Sequence, residues 1–319
     1  MKTAYVIAAS DGGYVVGLAA TLNNLDYHNN KTELHWIHSG DETGAPDPLT
    51  RSLIETLGDN SGGLGFDVRT VLMNDLIEKW PEGKDRRKGW QYRFYKYKYI
   101  QSLASEYDAI AVLCGDGLVI NYIDPYLAMV ADTKYMLTAN HSWAGRGHIL
   151  GLIESTAASR TIITDIPLMI CPRYWADVID TMWEFALATQ KGCTELHSLN
   201  YSVWKHQRGL DCVMLAEAQW ISHHLWYWNI AKTQFNVMGN DKPYHIFVVD
   251  DGARFHLNHI HGKWWNYNNC DAKMGNGNET FDHNVKIVHN EYYRALTEGT
   301  IKLDFTKHPQ IEEQIQPYA

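Results

Sequence analysis

Residues 107–125 read YDAIAVLCGDGLVINYIDP, and this stretch decides the predicted fold. Its first part, 109–113, is a short uninterrupted apolar run, which is typical of a strand buried on both faces of a mainly parallel sheet. The run ends at Cys114, and two glycines then flank Asp116. A carboxylate in such a turn, at the carboxyl end of a central strand, lies where open α/β sheets bind ligands. An ordinary strand–turn–strand with a solvated Asp116 explains the same letters, so this stretch alone leaves both interpretations open.

Predicted strands and helices alternate on both sides of this stretch. Strands are predicted at 3–9, 33–38, 66–71, 118–120 and 135–138, and helices at 13–25, 48–57, 90–105 and from Asp124 onward. Beyond residue 150, helices are predicted at 173–188, 210–225 and 291–297, and strands at 246–249 and 255–261. The alternation predicts an α/β fold with a mainly parallel, doubly wound sheet and a C-terminal elaboration. We expect one domain over residues 1–265, with an extension over 266–319 packed on it and a long polar loop at 266–280.

The composition indicates a globular protein with a substantial core, since 45% of the 319 residues are hydrophobic and 20% are charged. No apolar stretch approaches the roughly 20 residues that a membrane helix needs. The apolar residues 4–9 are too few for the core of a signal peptide and are predicted as the first strand. The five cysteines are dispersed without CxxC spacing, which favours a reducing compartment. We therefore expect a cytoplasmic protein (host cytoplasm if a phage encodes it) without a membrane partner.

The net charge of −9 excludes a surface that binds nucleic acid over its whole extent. One local exception is the segment 84–98, KDRRKGWQYRFYKYK, which carries seven bases and one acid. Within it, Arg93 has the planar fork that binds a phosphate or a carboxylate in bidentate fashion, with Lys96 and Lys98 nearby. A solvated basic helix face, which needs no ligand, is the more frequent explanation for such a run.

A second candidate site is the segment Ser10-Asp11-Gly12-Gly13-Tyr14, which follows the first predicted strand. Asp11 can accept a hydrogen bond from the imide N–H of a uracil-like base, and Tyr14 can stack on its ring. Alternatively, Asp11 or Ser10 only caps the following helix. The segment lacks GxGxxG and is followed by neither GKS nor GKT, so it is not a phosphate-binding glycine loop of the nucleotidyltransferase or P-loop kind.

The third candidate is the histidine-rich segment 255–265, FHLNHIHGKWW. On a strand, His259 and His261 share a face because side chains alternate with a period of two. Two imidazoles and a nearby carboxylate suit Mn²⁺ or Mg²⁺, and Lys263 directly after Gly262 can neutralise a phosphate. A set of half-buried, hydrogen-bonded histidines is the simpler alternative. The adjacent pair His223-His224 is interpreted as structural, because neighbours on a helix do not share a face.

Taken together, these motifs resemble GT-A glycosyltransferases, and most nearly glycosyltransferase family 8, which includes glycogenin and bacterial galactosyltransferases. The family's base-reading D-x-x-Y element is matched by Asp11 and Tyr14, and its YxR-like motif by Tyr92-Arg93. In LCGDGLVINYID, Asp116 takes the second position of the family's DxD. The later HxxG…KPW element is matched by His259 to Gly262, followed by Lys263.

The chain departs from the family's pattern at two sites. Cys114 stands where the first Asp of DxD would supply a hard ligand for the cation. The family's Asp-Gln pair, which lies on the helix facing the reacting sugar, is best matched by Asp211-Cys212. Asn140 and His141 are candidates for acceptor contacts by position only.

The resemblance implies a retaining, metal-assisted transfer of a sugar from a nucleoside diphosphate sugar, with a UDP-sugar favoured. It implies catalytic roles for Asp116, Asp211 and Lys263, and a divalent metal held by Asp116 with His259 or His261. The acceptor is open between a glycan, a protein, a small molecule and a modified DNA base. Two alternatives stand beside this interpretation. One is a phage-type DNA glycosyltransferase acting on hydroxylated bases, and the other is a non-catalytic protein that binds sugar nucleotides.

Overall fold

The computed structural model describes most of the first 215 residues and a few later strands. The described ranges are 1–10, 12–27, 29–40, 45–73, 88–115, 117–119, 122–139, 168–188, 195–215, 221–222, 233–238, 245–250 and 257–259. Twelve strands lie in these ranges. They are β1 (Thr3–Ala8), β2 (Glu33–His38), β3 (Val68–Leu72), β4 (Ala109–Cys114), β5 (Gly117–Val119), β6 (Met136–Ala139), β7 (Leu168–Ile170), β8 (Cys212–Leu215), β9 (Ile221–Ser222), β10 (Thr233–Met238), β11 (His245–Asp250) and β12 (Leu257–His259).

Seven of these strands form one central sheet in the order β3-β2-β1-β4-β7-β6-β8. The strands β1 to β4 are mutually parallel, and β6 and β8 are parallel to each other. β7 is antiparallel to both of its neighbours, β4 and β6, so β6 and β8 run in the same direction as β1. The predicted α/β fold with a mainly parallel sheet is confirmed, with one antiparallel strand in its middle.

Six α-helices accompany the strands in the described ranges. They are α1 (Gly12–Tyr27), α2 (Pro48–Leu57), α3 (Lys88–Ser102), α4 (Asp124–Thr133), α5 (Ala176–Ala188) and α6 (Glu195–Lys205). α2 begins where its sequence requires, because Asp47 Oδ1 accepts the backbone N–H groups of Leu49 (3.1 Å) and Thr50 (3.3 Å). Pro48 fills the first helical position, where no amide donor is needed.

The helices cover both faces of the sheet. Ala4 and Val6 of β1 are fully buried in a core shared with α3, α5 and α6. Tyr5 points the other way, since successive strand residues alternate, and its hydroxyl bonds the carboxylate of Asp124 at the start of α4. The sheet is therefore doubly wound, as the alternating sequence pattern predicts.

Two smaller sheets complete the described strands. β10 and β11 form an antiparallel hairpin, and β12 lies between β5 and β9 in a three-stranded sheet. The predicted strands at 246–249 and 255–261 correspond to β11 and β12. The predicted extension 266–319, its loop and its helix at 291–297 lie outside the described residues, as do Asn140 and His141.

The predicted helix at 210–225 is wrong. Gly209–Asp211 forms a single 3₁₀ turn, and the chain then enters β8 and later β9. The reason for setting His223-His224 aside depended on that helix and fails with it. The pair itself lies outside the described residues.

The helices that the structure describes offer no span across a bilayer, since none of them is both long and apolar enough.

Candidate functional site

The carboxyl ends of β1 and β4 lie side by side and form the base of the candidate site. Their parallel register pairs Ala8 with Cys114, the last residues of the two strands. The segment that carries Asp11 therefore leaves the sheet beside the turn that carries Asp116. Both carboxylates lie outside the described residues, whereas the backbone on each side of Asp116 is described. This edge is where open α/β sheets bind their ligands.

Gly115 brings the two segments into direct contact. A Cβ placed on Gly115 lies 3.0 Å from Ala9 Cβ, 3.5 Å from the carbonyl oxygen of Tyr14 and 3.6 Å from Tyr14 Cδ1. Glycine suits this close approach, since a Cβ at position 115 would make a contact with Ala9 that is tighter than usual. The half-buried Tyr14 lies directly against the residue that precedes Asp116.

The first turn is also held from β2. The indole Nε1 of Trp36 donates a 2.7 Å hydrogen bond to the carbonyl oxygen of Ala9, and the Ala9 amide donates to the carbonyl oxygen of Ile37 at 3.0 Å. Trp36 is fully buried, so this bond is shielded from water and fixes the path of the chain just before Asp11. The backbone at Ala9, directly before residues 10–14, is therefore held to β2 by two hydrogen bonds.

A strand from the far end of the described chain completes this edge. β12 pairs antiparallel with β5, and the register places His259 opposite Gly117, the residue after Asp116. Neighbouring strands lie about 4.8 Å apart. The backbone of His259 is therefore next to the turn that carries Asp116. His261, Gly262 and Lys263 follow β12 in sequence and lie outside the described residues.

Arg93 lies in the first half of α3, which leads into β4. Because β4 begins at the amino edge of the sheet, the start of α3 lies toward the carboxyl edge, on the same side as the candidate site. The described backbone at Ser10, Gly115, Gly117, His259 and Arg93, next to or within the predicted base, metal and phosphate segments, thus lies at one edge of the sheet.

Asp211 is not brought to this edge. It immediately precedes β8, whose first residue Cys212 pairs with Met136 at the amino end of β6. The strand pairings from β8 through β6 and β7 to β4 place Asp211 about six residues from Gly115 along the strand direction, which is roughly 20 Å. The Asp211 carboxylate instead accepts from Arg208 Nε at 3.1 Å. Burial raises the pKa of the neighbouring Cys212 thiol to about 12, which keeps it protonated and unreactive.

A buried ion pair that the sequence patterns did not indicate joins α3 to α6. Lys96 Nζ lies 3.3 Å from Glu195 Oε1, and the side chains are 4% and 7% exposed. Glu195 is the first residue of α6, which leads into β8, so it also lies toward the carboxyl edge. The sequence signal was weak, since Lys96 sits within a run of bases and Glu195 begins a helix whose buried face is mostly polar.

The basic run is partly neutralised by acidic residues of α5 and α6. Besides Lys96, Lys98 pairs with Asp180 of α5 at 3.1 Å and with Gln101 at 3.1 Å. Two of the bases in the 84–98 segment are thus engaged by α5 and α6. Within the described ranges, no group of three or more His, Cys, Asp or Glu side chains is arranged to hold a metal ion.

Comparison with solved structures agrees with this architecture. The chain is similar to the galactosyltransferase LgtC in complex with donor and acceptor sugar analogues, with a TM-score of 0.53 and 13% identity over 92% of this chain and 96% of that one. Mouse xyloside xylosyltransferase 1 gives 0.51 and 9% over 81% of this chain and 97% of its own. The protein has the GT-A fold.

The bifunctional glycosyltransferase WbbM shares the fold over part of its length, with a TM-score of 0.51 and 9% identity over 90% of this chain and 52% of that one. No family model and no curated protein matches the sequence. At these identities the likeness establishes only the arrangement of helices and strands.

Proposed function

We propose that this protein is a glycosyltransferase that moves a sugar from a nucleoside diphosphate sugar, preferably a UDP-sugar, to an acceptor. The pairing of His259 with Gly117 carries the proposal. It places the backbone of His259, from the histidine-rich segment of the C-terminal half, next to the turn that holds Asp116. The GT-A fold of the chain, whose neighbours are glycosyltransferases, supports the same conclusion.

The nucleotide base is assigned to the segment after β1. Asp11 would accept the imide N–H of the base, and Tyr14 would stack on the ring. The contact of Tyr14 with Gly115 supports this assignment, because it sets the stacking surface beside the turn that approaches the diphosphate. Support from Trp36 keeps the segment in place before the ligand arrives.

The diphosphate is assigned to Arg93 of α3 and to Gly262 and Lys263 after β12. Cations at these positions stabilise the negative charge that grows on the leaving diphosphate, and such electrostatic stabilisation is among the largest contributions to catalysis. Arg93 supplies a bidentate fork and Lys263 a point charge. Transfer with retention of configuration follows from the resemblance to family 8.

A divalent cation, Mn²⁺ or Mg²⁺, fits this arrangement at the backbone level, with Asp116 and His259 as the main ligands and His261 as the other candidate. Such an ion polarises phosphoryl oxygens and neutralises charge on the leaving group. Cys114 ends β4 where a second carboxylate would be the better ligand for a hard cation. We therefore expect a metal site that is weaker than one built on two carboxylates.

Asp211 has no place in the proposed site, because its level in the sheet is that of the opposite edge. The catalytic groups that we assign are Asp116 and Lys263.

The test is a thermal-shift panel of UDP-, GDP-, dTDP- and CMP-sugars, each with and without MnCl₂. A ligand that binds only the folded protein raises its Tm, because a hundredfold excess of ligand over Kd adds about 2.7 kcal/mol to the free energy of unfolding. We expect a rise with the UDP-sugar that is larger in the presence of Mn²⁺. The absence of a shift with all four donors contradicts the proposal.

Cys114 favours one second candidate, a protein that binds sugar nucleotides without catalysis. Donor hydrolysis and transfer separate the two, since tight binding without either reaction supports the non-catalytic protein. Lys96 and Lys98 of α3 do not favour the DNA-directed alternative, because their charges are paired with Glu195 and Asp180. Steeply salt-dependent binding to duplex DNA would revive it.

A further inference from the structure

The Lys96–Glu195 ion pair is the most buried pair of opposite charges in the described residues. The Nζ–Oε1 distance is 3.3 Å, and the ring of Tyr97 lies 5.2 Å from the ammonium group. Around the pair, α3 is buried almost continuously, with Phe94, Tyr95 and Ile100 all 3% exposed or less. Both charged groups are therefore largely shielded from water.

Such a pair contributes little net stability, because removing two charges from water costs about as much as their attraction returns. Its physical effect is to fix a geometry. If α3 slid or rotated against α6, one buried charge would lose its partner, and an unpaired buried charge is strongly destabilising. The pair therefore selects a single alignment of α3 on α6.

That alignment concerns the proposed donor site. Arg93 lies three residues before Lys96 on the same helix, which is less than one helical turn. Glu195 is the first residue of α6 and lies toward the carboxyl edge of the sheet. Whatever holds Lys96 in register thus also fixes the α3 backbone at Arg93.

We propose that Lys96 and Glu195 are positioning residues, whose buried ion pair holds α3 in the alignment that presents Arg93 to the diphosphate of the donor. This inference rests on the proposed glycosyltransferase function. It assigns no contact with the donor to either residue.

The chain offers a matched control two residues further along the same helix. Lys98 pairs with Asp180 at 3.1 Å, but these side chains are 33% and 53% exposed. Water can take over either charge of this second pair, so its loss leaves the alignment of α3 unchanged. Lys98→Met therefore removes a lysine from α3 without removing the buried pair.

The experiment measures the binding of UDP with MnCl₂ by titration calorimetry, together with Tm, for the full chain and its variants. Lys96→Met and Glu195→Gln each leave one buried charge, and we expect UDP affinity to fall on the order of 10- to 10²-fold, the scale of a slight misplacement of a binding group. Lys98→Met should bind UDP as the wild type does.

The decisive variant is the double substitution Lys96→Met/Glu195→Leu, which fills the space with apolar groups. We expect its Tm to return to within a few degrees of the wild-type value, because buried pairs are replaceable in stability. Its UDP affinity should stay low, since apolar contacts do not fix one register. The charge exchange Lys96→Glu/Glu195→Lys should recover affinity relative to the single variants.

Two results overturn the inference while the glycosyltransferase proposal stands. One is a double apolar variant that binds UDP as tightly as the wild type, which makes the pair a structural contact only. The other is a loss of UDP affinity in Glu195→Gln without a loss in Lys96→Met, which means that Glu195 acts independently of Lys96. A wild-type protein that binds no nucleoside diphosphate overturns both proposals.

Discussion

His259 stands directly opposite Gly117 in the antiparallel pairing of β12 with β5. The two residues belong to segments far apart in the sequence, one following the central strand β4 and the other in the C-terminal half. Their pairing makes the turn at Asp116 a meeting point of both halves of the chain.

The first prediction concerns Asp116. Replacing it with Asn removes the charge that we assign to metal binding, and we expect transfer from a UDP-sugar to fall on the order of 10²- to 10³-fold. Steady-state kinetics at saturating MnCl₂ measure this. Asp132→Asn, at an exposed position of α4, is the control and should leave the rate unchanged. Equal rates for the Asp116 variant and the wild type would contradict the site assignment.

The second prediction concerns Cys114. Cys114→Asp supplies a second hard ligand beside Asp116, so we expect tighter Mn²⁺ binding, measured by titration with the metal in the presence of UDP. Cys114→Ser removes the thiol without adding a charge and should not tighten binding. If the Asp and Ser variants bind Mn²⁺ equally, position 114 does not face the metal.

The third prediction concerns the contact of Gly115 with Ala9. Gly115→Ala places a methyl group 3.0 Å from Ala9 Cβ and presses on Tyr14, which should cost about 1–3 kcal/mol of folding stability and weaken UDP binding. Ala9→Gly removes the opposing methyl group. The double variant should therefore regain most of the lost stability in urea unfolding, with a positive coupling in a double-mutant cycle. Additive losses would show that the two positions do not share the space.

The fourth prediction concerns Arg208, which is held between two aromatic rings. Its guanidinium carbon lies 4.2 Å from the centroid of Tyr174 and 3.9 Å from that of Trp175, and its nitrogens pair with Asp177 (3.0 Å) and Asp211 (3.1 Å). Lysine keeps the charge but lacks the flat group that stacks. We expect Arg208→Lys to lower the free energy of unfolding by about 1–3 kcal/mol.

Urea unfolding measures the effect, and Arg173→Lys at an exposed position is its control. Because Arg208 lies at the amino edge of the sheet, donor affinity should not change. A loss of donor binding in a folded Arg208→Lys protein would contradict the placement of the site.

The fifth prediction concerns pH. His35 is fully buried, and its ring nitrogens contact the hydroxyls of Tyr99 (2.6 Å) and Tyr107 (3.0 Å) and the carboxylate of Glu33 (2.9 Å). Burial holds the pKa of His35 below its ordinary value of 6.5, although Glu33 acts in the opposite direction, and Arg69 and Glu106 add smaller effects of opposite sign. At pH values between the lowered pKa and 6.5, His35 is protonated in the unfolded chain but remains neutral in the folded protein.

Stability should therefore fall as the pH drops below about 6.5, and the fall should continue until the pH reaches the folded-state pKa. Urea midpoints between pH 7.5 and 5 measure it. In His35→Gln, which cannot titrate, the same pH interval should give a shallower dependence. Identical slopes in both proteins would show that His35 does not contribute.

The sequence was most informative where a strand or helix has a clear pattern of its own. The strand 33–38 and the helix 48–57 have the predicted bounds, because one is a continuous buried run and the other begins with Asp47-Pro48. The 109–113 run is likewise the central strand, longer by Cys114.

The errors have two physical causes: tertiary pairing decides the structure of short segments, and a polar buried face hides the apolar spacing of a helix. Residues 212–215 form a short apolar run that periodicity alone cannot assign, and pairing with β6 makes it a strand. α6 escaped prediction because most of its buried residues are polar, Glu195, Ser198 and Asn200 among them, which hides the apolar spacing of a helix. The three residues of β7 are too few for any local signal.

The candidate site was predictable in part. The glycines around Asp116 and the histidines after 255 were visible as motifs, but nothing local could show that β12 pairs with β5. The assignment of Asp211 rested on a two-residue motif match, which carries no information on the register that places Asp211 at the level of the opposite edge. The Lys96–Glu195 pair joins residues 99 positions apart, and only the packed structure brings them together.

The pairing of β5 with β12 also limits the order in which parts of the protein can fold during synthesis. β12 lies 142 positions after its partner, so a ribosome adding about 5–20 residues per second delivers it roughly 7–28 s later. During that interval β1 to β4 are already available to assemble, while β5, which follows the turn after β4, still lacks its partner strand β12. The pairing beside the 115–117 turn thus forms late, and a chain cut short before residue 257 contains all strands of the central sheet but lacks the strand that the proposed donor site requires.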